Sequence, residues 1–128
     1  MAAINLSAFL AGKVRAAGEQ LTAAVEKMPE ERLLWKPTCE GNTGRDALDQ
    51  ALECAYLNEW VAAGYRSGTM PPLDWDDYKV RTNAKRNKAD VVAWLRRSTD
   101  ALIGSLNAFT VSSRTQDRRR EVKVRMLL

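Results

Sequence analysis

Gln50, Cys54 and Asn58 follow one another at intervals of four residues and form the candidate pocket of this chain. Residues four apart share one face of an α-helix, so we expect these side chains to line one groove. Two amides and a thiol can donate and accept hydrogen bonds, but no pair among them selects a reaction. Each also has a structural interpretation: Gln50 as an amide at a groove edge, Cys54 as a small core residue, and Asn58 as a buried amide that sets helix register.

Histidine is absent from the 128 residues. This absence excludes Ser-His-Asp and Cys-His nucleophile pairs, imidazole metal ligands and acid/base chemistry by histidine. The two cysteines, Cys39 and Cys54, are too few for a zinc site by themselves, and we expect both to be unpaired thiols. The sequence therefore predicts no catalytic residue, no metal ligand and no cofactor.

The length and charge of the chain limit the classes of protein to which it can belong. A chain of 128 residues, 45% of them hydrophobic, is typical of one folded domain covering residues 1–128. Residues 1–111 carry 14 charges of each sign, so the net charge of +4 comes from the basic tail at 110–128. No apolar run approaches the roughly 20 residues of a membrane span. The N-terminus lacks a secretory signal pattern, so we expect a cytoplasmic protein.

Three amphipathic helices are predicted from apolar residues at three- and four-residue spacing, which favours an all-α, up-and-down helical bundle. They cover approximately residues 5–28, 44–68 and 87–109. The connection at 69–86 is too long for a structureless loop, and its aromatic residues are expected to cover a core edge. Residues 121–126 alternate between polar and apolar side chains, which predicts a short strand or an irregular tail.

The order of these patterns resembles the DinB-like superfamily of four-helix bundles with long crossover connections. Residues 21–37, with sequence LTAAVEKMPEERLLWKP, resemble the end of that family's first helix. The sequence NTGRDALDQ at 42–50 resembles the opening of its second helix, and EVKV at 121–124 resembles the segment before its fourth helix. The resemblance implies a DinB-like bundle over nearly the whole chain.

The resemblance also implies where a metal site would lie. Family members typically hold a divalent metal such as zinc or nickel with three histidines, one in the second helix and two in the fourth. The second-helix ligand lies seven residues after the Ser or Thr that opens the helix, and Gln50 stands seven residues after Thr43. A neutral amide is a poor replacement for imidazole. The chain also ends at Leu128, where the fourth helix and its histidines are expected to begin.

These observations predict a non-catalytic binding or assembly module without a complete metal site. A bundle lacking its last helix leaves an apolar groove, which we expect a second copy to cover in a homodimer. One alternative is that the chain is truncated or altered in its reading frame, so that the tail is not part of the native sequence. A second is a metal-dependent enzyme of thiol-transferase or hydrolase type.

Nucleic-acid binding through basic side chains is the third alternative, and it is disfavoured because no recognised motif accompanies the charge. It depends on the tail and on a group around the start of the third predicted helix: Lys79, Arg81, Lys85, Arg86, Lys88, Arg96 and Arg97.

Overall fold

The computed structural model describes the backbone of residues 5–39 and 42–127, with side chains over residues 5–37 and 44–109. The described chain is helical apart from its turns and one short antiparallel ribbon. Its elements are α1 (Leu6–Lys27), α2 (Glu30–Leu33), β1 (Thr38–Cys39), β2 (Asn42–Thr43), α3 (Ala47–Ser67), α4 (Trp75–Asn83) and α5 (Lys88–Leu127). In the ribbon Thr38 pairs with Thr43, and Cys39 pairs with Asn42.

Short polar side chains cap the N-termini of α1 and α3. Asn5 Oδ1 accepts a hydrogen bond from the backbone N–H of Ala8 at 3.2 Å, and Asp46 Oδ1 accepts one from Asp49 at 2.6 Å. Such bonds satisfy backbone donors that have no partner within the helix. At the end of α3, Gly68 adopts a left-handed conformation with φ of 78°, which glycine tolerates without a steric penalty.

Helix α5 packs along both α1 and α3, whereas α1 and α3 scarcely touch each other. One core cluster joins the end of α1, the first half of α3 and the start of α5 around the fully buried Trp94. A second cluster lies towards the other end of the bundle, around Ala11, Ala62 and Leu102. One side of α1 and one side of α3 are therefore not covered by another described helix.

The C-terminal strand prediction is wrong, because α5 continues as one helix of 40 residues through positions 121–126 to Leu127. Three alternating apolar residues are too short a pattern to distinguish a strand from a helix. Beyond Gly104 the sequence contains neither glycine nor proline, and it is rich in arginine and other residues that tolerate a helix. The side chains of the basic tail lie outside the described residues, and so does Leu128.

The up-and-down order predicted from the sequence does not hold between α3 and α5. Asp46 pairs with Arg86 at one end of the bundle, and Tyr65 contacts Phe109 with ring centroids 5.0 Å apart at the other. Helices α3 and α5 therefore run parallel, and the connection between them returns along the bundle. This connection contains α4, whose Tyr78 packs on the core as expected, whereas Trp75, expected to do the same, is 59% exposed.

The observed helices otherwise confirm an all-α bundle with long helices near the predicted ranges. No helix in the described part of the chain combines the length and apolarity needed to span a membrane.

Candidate functional site

An open pocket surrounds Gln50 at the end of the bundle where α1 finishes and α3 begins. Its volume is about 620 Å³, which lies within the range of about 300–1,000 Å³ usual for small-molecule sites. The lining residues come from the end of α1, the turn around α2 and the start of α3: Met28, Glu31, Arg32, Trp35, Pro37, Arg45, Ala47 and Gln50. We call this space the Gln50 pocket.

The structure brings only one of the three predicted pocket residues into this space. Gln50 is exposed and lines the pocket, whereas Cys54 and Asn58 lie further along α3 and are not part of its lining. The Asn58 side chain donates from Nδ2 to Ser98 Oγ at 3.3 Å, which ties α3 to α5. Asn58 is thus half-buried and hydrogen-bonded between helices.

Cys54 is a free thiol on the exposed side of α3 rather than a core residue. Partial burial raises the pKa of this thiol above its ordinary value, and the neighbouring Glu53 carboxylate raises it further. The thiolate is the nucleophilic form, so a raised pKa disfavours Cys54 as a nucleophile at neutral pH. The side chain of Cys39 lies outside the described residues.

Sequence reasoning missed the side chains that α2 contributes to the pocket. Pro29 and Pro37 bracket this turn in the sequence, and α2 begins directly after Pro29. Trp35 follows α2 and remains 66% exposed, which is unusual for so large an apolar side chain. A tryptophan beside a proline-bounded turn was therefore an available signal for a surface site.

The charges around the pocket are only partly paired. Arg45 forms an ion pair with Glu53 and donates to the backbone oxygen of Asp49 at 3.3 Å, and the hydrogen bond to Glu53 raises the pKa of the guanidinium. Glu31 and Arg32 have no side-chain partner among the residues with described side chains. The pocket therefore presents one free carboxylate and one free guanidinium.

This set of residues does not fit a divalent metal. The pocket lining offers one carboxylate, one neutral amide and one thioether beside two guanidinium groups, and zinc or nickel sites require imidazole, thiolate or several carboxylates. Within the described part of the chain, no three cysteine or acidic side chains come together as a potential metal site. No step of a reaction can be assigned to a metal here.

Away from the Gln50 pocket, a cluster of polar contacts centred on Glu59 holds α4 against α3 and α5. This carboxylate accepts a hydrogen bond from Trp94 Nε1 at 2.8 Å and forms an ion pair with Arg81. The Arg81 guanidinium also lies 5.2 Å from the Trp94 ring centroid, which is cation–π geometry. Tyr56 completes the contact by donating to Asp77 Oδ2 at 3.0 Å.

Several cations considered for nucleic-acid binding are thus engaged within the fold. Arg86 pairs with Asp46 and Asp49, Arg96 pairs with Glu26, and Arg81 pairs with Glu59. Charges held in such pairs are less available to neutralise phosphates, so this part of the prediction gains no support.

Comparison with known proteins gives no family for this chain: no family model, characterised protein or solved structure matches it.

Proposed function

We propose that this protein is a non-catalytic binding module, a helical bundle of DinB-like type that assembles as a homodimer through the side where α1 and α3 lack a covering helix. The observation that carries the proposal is the exposure of large apolar side chains on the first turns of α1. Leu6 is 64% exposed, Phe9 is 56% exposed and Leu10 is 37% exposed.

These three side chains form part of the apolar stripe that made α1 predictable as an amphipathic helix. Neighbouring buried residues of α1, such as Ala11, pack on α5 instead. The stripe is thus wider than the surface that α5 covers. Contiguous exposed apolar surface costs free energy in water at about 25 cal/mol per Å², so covering it stabilises an assembly.

A second copy of the chain suits this surface because a two-fold interface pairs the same patch from both partners. The three exposed side chains Leu6, Phe9 and Leu10 are apolar, so the same surface from two copies can pack together. Lys13, which lies over the Phe9 ring at 5.4 Å, can remain at the rim with its charge in water.

The DinB-like assignment is supported by the long crossover between the parallel helices α3 and α5. It is also consistent with Gln50, at the position that the resemblance implies for a metal ligand, lining an open pocket. Because the lining does not fit a metal, we infer that binding rather than metal-dependent catalysis is the activity of the pocket.

The test is the molar mass of the purified chain, measured by size-exclusion chromatography with light scattering at micromolar concentration. We expect a dimer for the native chain and a monomer for Phe9→Asp, which places a charge in the proposed interface. Val80→Asp is the matched control, because Val80 is 70% exposed on α4, away from this surface. A monomeric native chain, or equal behaviour of the two variants, would contradict the dimer.

Metal content tests the non-catalytic half of the proposal. Plasma mass spectrometry of the same preparation should find no transition metal at stoichiometric level. One bound zinc or nickel ion per chain would instead favour the metal-dependent enzyme.

A further inference from the structure

The Gln50 pocket presents two unpaired opposite charges next to an apolar wall. Glu31 and Arg32 both line it, and neither has an ionic partner among the side chains that the structure describes. Arg45 also lines it, but Glu53 already neutralises this guanidinium. The charges left for a ligand are therefore one negative and one positive group on adjacent residues.

The wall of the pocket suits a flat apolar group. Trp35 offers an exposed indole surface, and the thioether of Met28 and the ring of Pro37 line the same space. Aromatic rings pack favourably on indole faces and on methionine sulfur. The Gln50 amide has no side-chain hydrogen bond in the described part of the chain, so it can donate to or accept from a polar ligand group.

We propose that the Gln50 pocket binds a small zwitterion with an aromatic body, of the chemical class of an aromatic α-amino acid. The ligand carboxylate pairs with Arg32, its ammonium group pairs with Glu31, and its ring lies against Trp35. This inference rests on the proposed binding function and specifies the ligand class.

Charge selects a zwitterion over a simple anion or cation. A ligand with only a carboxylate gains Arg32 but meets the uncompensated carboxylate of Glu31. A ligand with only an ammonium group gains Glu31 but meets Arg32. Only a ligand that carries both groups satisfies both side chains, and like-charge contacts are a common means of rejecting the wrong ligand.

The experiment is calorimetric titration of the full chain with free L-phenylalanine and three analogues. N-acetyl-L-phenylalanine lacks the ammonium group, L-phenylalaninamide lacks the carboxylate, and L-alanine keeps both charges without the ring. Each charge contact is exposed to solvent, so we expect L-phenylalanine to bind about threefold to fivefold more tightly than either charge-deficient analogue. L-alanine should give no measurable heat.

Two substitutions assign the contacts separately. Arg32→Gln should abolish the preference for L-phenylalanine over the amide, while Glu31→Gln should abolish the preference over the N-acetyl compound. Arg97→Gln is the matched control, because Arg97 is an exposed arginine on α5 without an ionic partner among the described side chains. This control should leave all affinities unchanged.

Equal affinity for L-phenylalanine and both charge-deficient analogues would overturn the inference, and so would an absence of heat with L-phenylalanine. Phe9→Asp separates this result from the oligomeric state, because the substitution lies at the opposite end of α1. A monomeric Phe9→Asp protein that retains the L-phenylalanine preference supports the pocket independently. A dimer that fails to bind L-phenylalanine would refute the ligand class while leaving the assembly intact.

Discussion

Replacing Asp46 should destabilise the protein more than replacing any exposed acidic residue, because this side chain makes two different contacts. It is 1% exposed; its Oδ1 caps α3 through the N–H of Asp49, and its Oδ2 accepts from Arg86 at 2.8 Å. Losing the cap costs about 1 kcal/mol, and losing the hydrogen bond to a charged partner costs about 1.5–3 kcal/mol. Asp46→Ala should therefore lower the free energy of unfolding by about 3 kcal/mol.

Asp46→Asn separates the two contributions. The amide oxygen of asparagine still caps the helix. Its Nδ2 is a donor and cannot accept from Arg86, so the charge-assisted hydrogen bond is lost while the cap is kept, at an expected cost of about 2 kcal/mol. Arg86 keeps its second carboxylate partner, Asp49, which prevents a larger loss. Urea unfolding followed by far-UV circular dichroism measures these differences, with exposed Asp100→Ala as a control expected within about 0.5 kcal/mol of the native chain. A loss below about 1 kcal/mol for Asp46→Ala would refute the reasoning.

Two further predictions concern helix packing and pH. A Cβ at Gly18 would lie 2.5 Å from Thr99 Cγ2, so Gly18→Ala should lower the free energy of unfolding by about 1–3 kcal/mol. A Cβ at Gly12 meets no atom of the described residues within 4 Å, so Gly12→Ala should be neutral or stabilising in the same urea assay. Burial, followed by the hydrogen bond to Asp77, raises the pKa of Tyr56 above its ordinary value of 10.0. The folded protein then retains a proton that the unfolded chain releases, so stability should fall as pH rises above about 10, and Tyr56→Phe should make this fall shallower.

Each of these two predictions is tested by comparing a pair of proteins: Gly18→Ala with Gly12→Ala, and Tyr56→Phe with the native chain. Equal stability of Gly18→Ala and Gly12→Ala would show that α1 and α5 do not approach closely at Thr99. An alkaline stability profile that Tyr56→Phe leaves unchanged would mean that another group releases the proton. Either measurement uses the full chain and needs no ligand.

Local sequence signals predicted the long helices because caps and periodicity act within a few residues. Asn5 caps α1 close to the predicted start of that helix at residue 5, and Gly68 ends α3 in the left-handed conformation that glycine favours. The strand prediction at 121–126 is wrong because three alternating apolar residues are a weaker signal than the absence of glycine and proline after Gly104. The helix α4, which was not predicted from the sequence, begins at Trp75 after the N-cap Asp74, whose side chain accepts from the N–H groups of Asp76 and Asp77.

The candidate site was only partly predictable for a related reason. Gln50 was found through its position on one helix face, but its neighbours Arg32 and Trp35 come from a different element and share no periodicity with it. Cys54 and Asn58 follow Gln50 at the same four-residue spacing. The packing of α5 against α3, however, places Asn58 beside Ser98 and outside the pocket. Periodicity specifies which residues share a face, and it leaves open what that face meets.

The amino-acid sequence by itself determined that this protein is helical, lacks imidazole chemistry and carries its excess positive charge near its end, because these properties follow from composition and short-range spacing. Tertiary structure alone decided that α3 and α5 run parallel, that Asp46 meets Arg86, and that the pocket combines Gln50 with the turn around α2. Those features depend on contacts between residues distant in the chain, where the packing of whole helices sets which side chains meet.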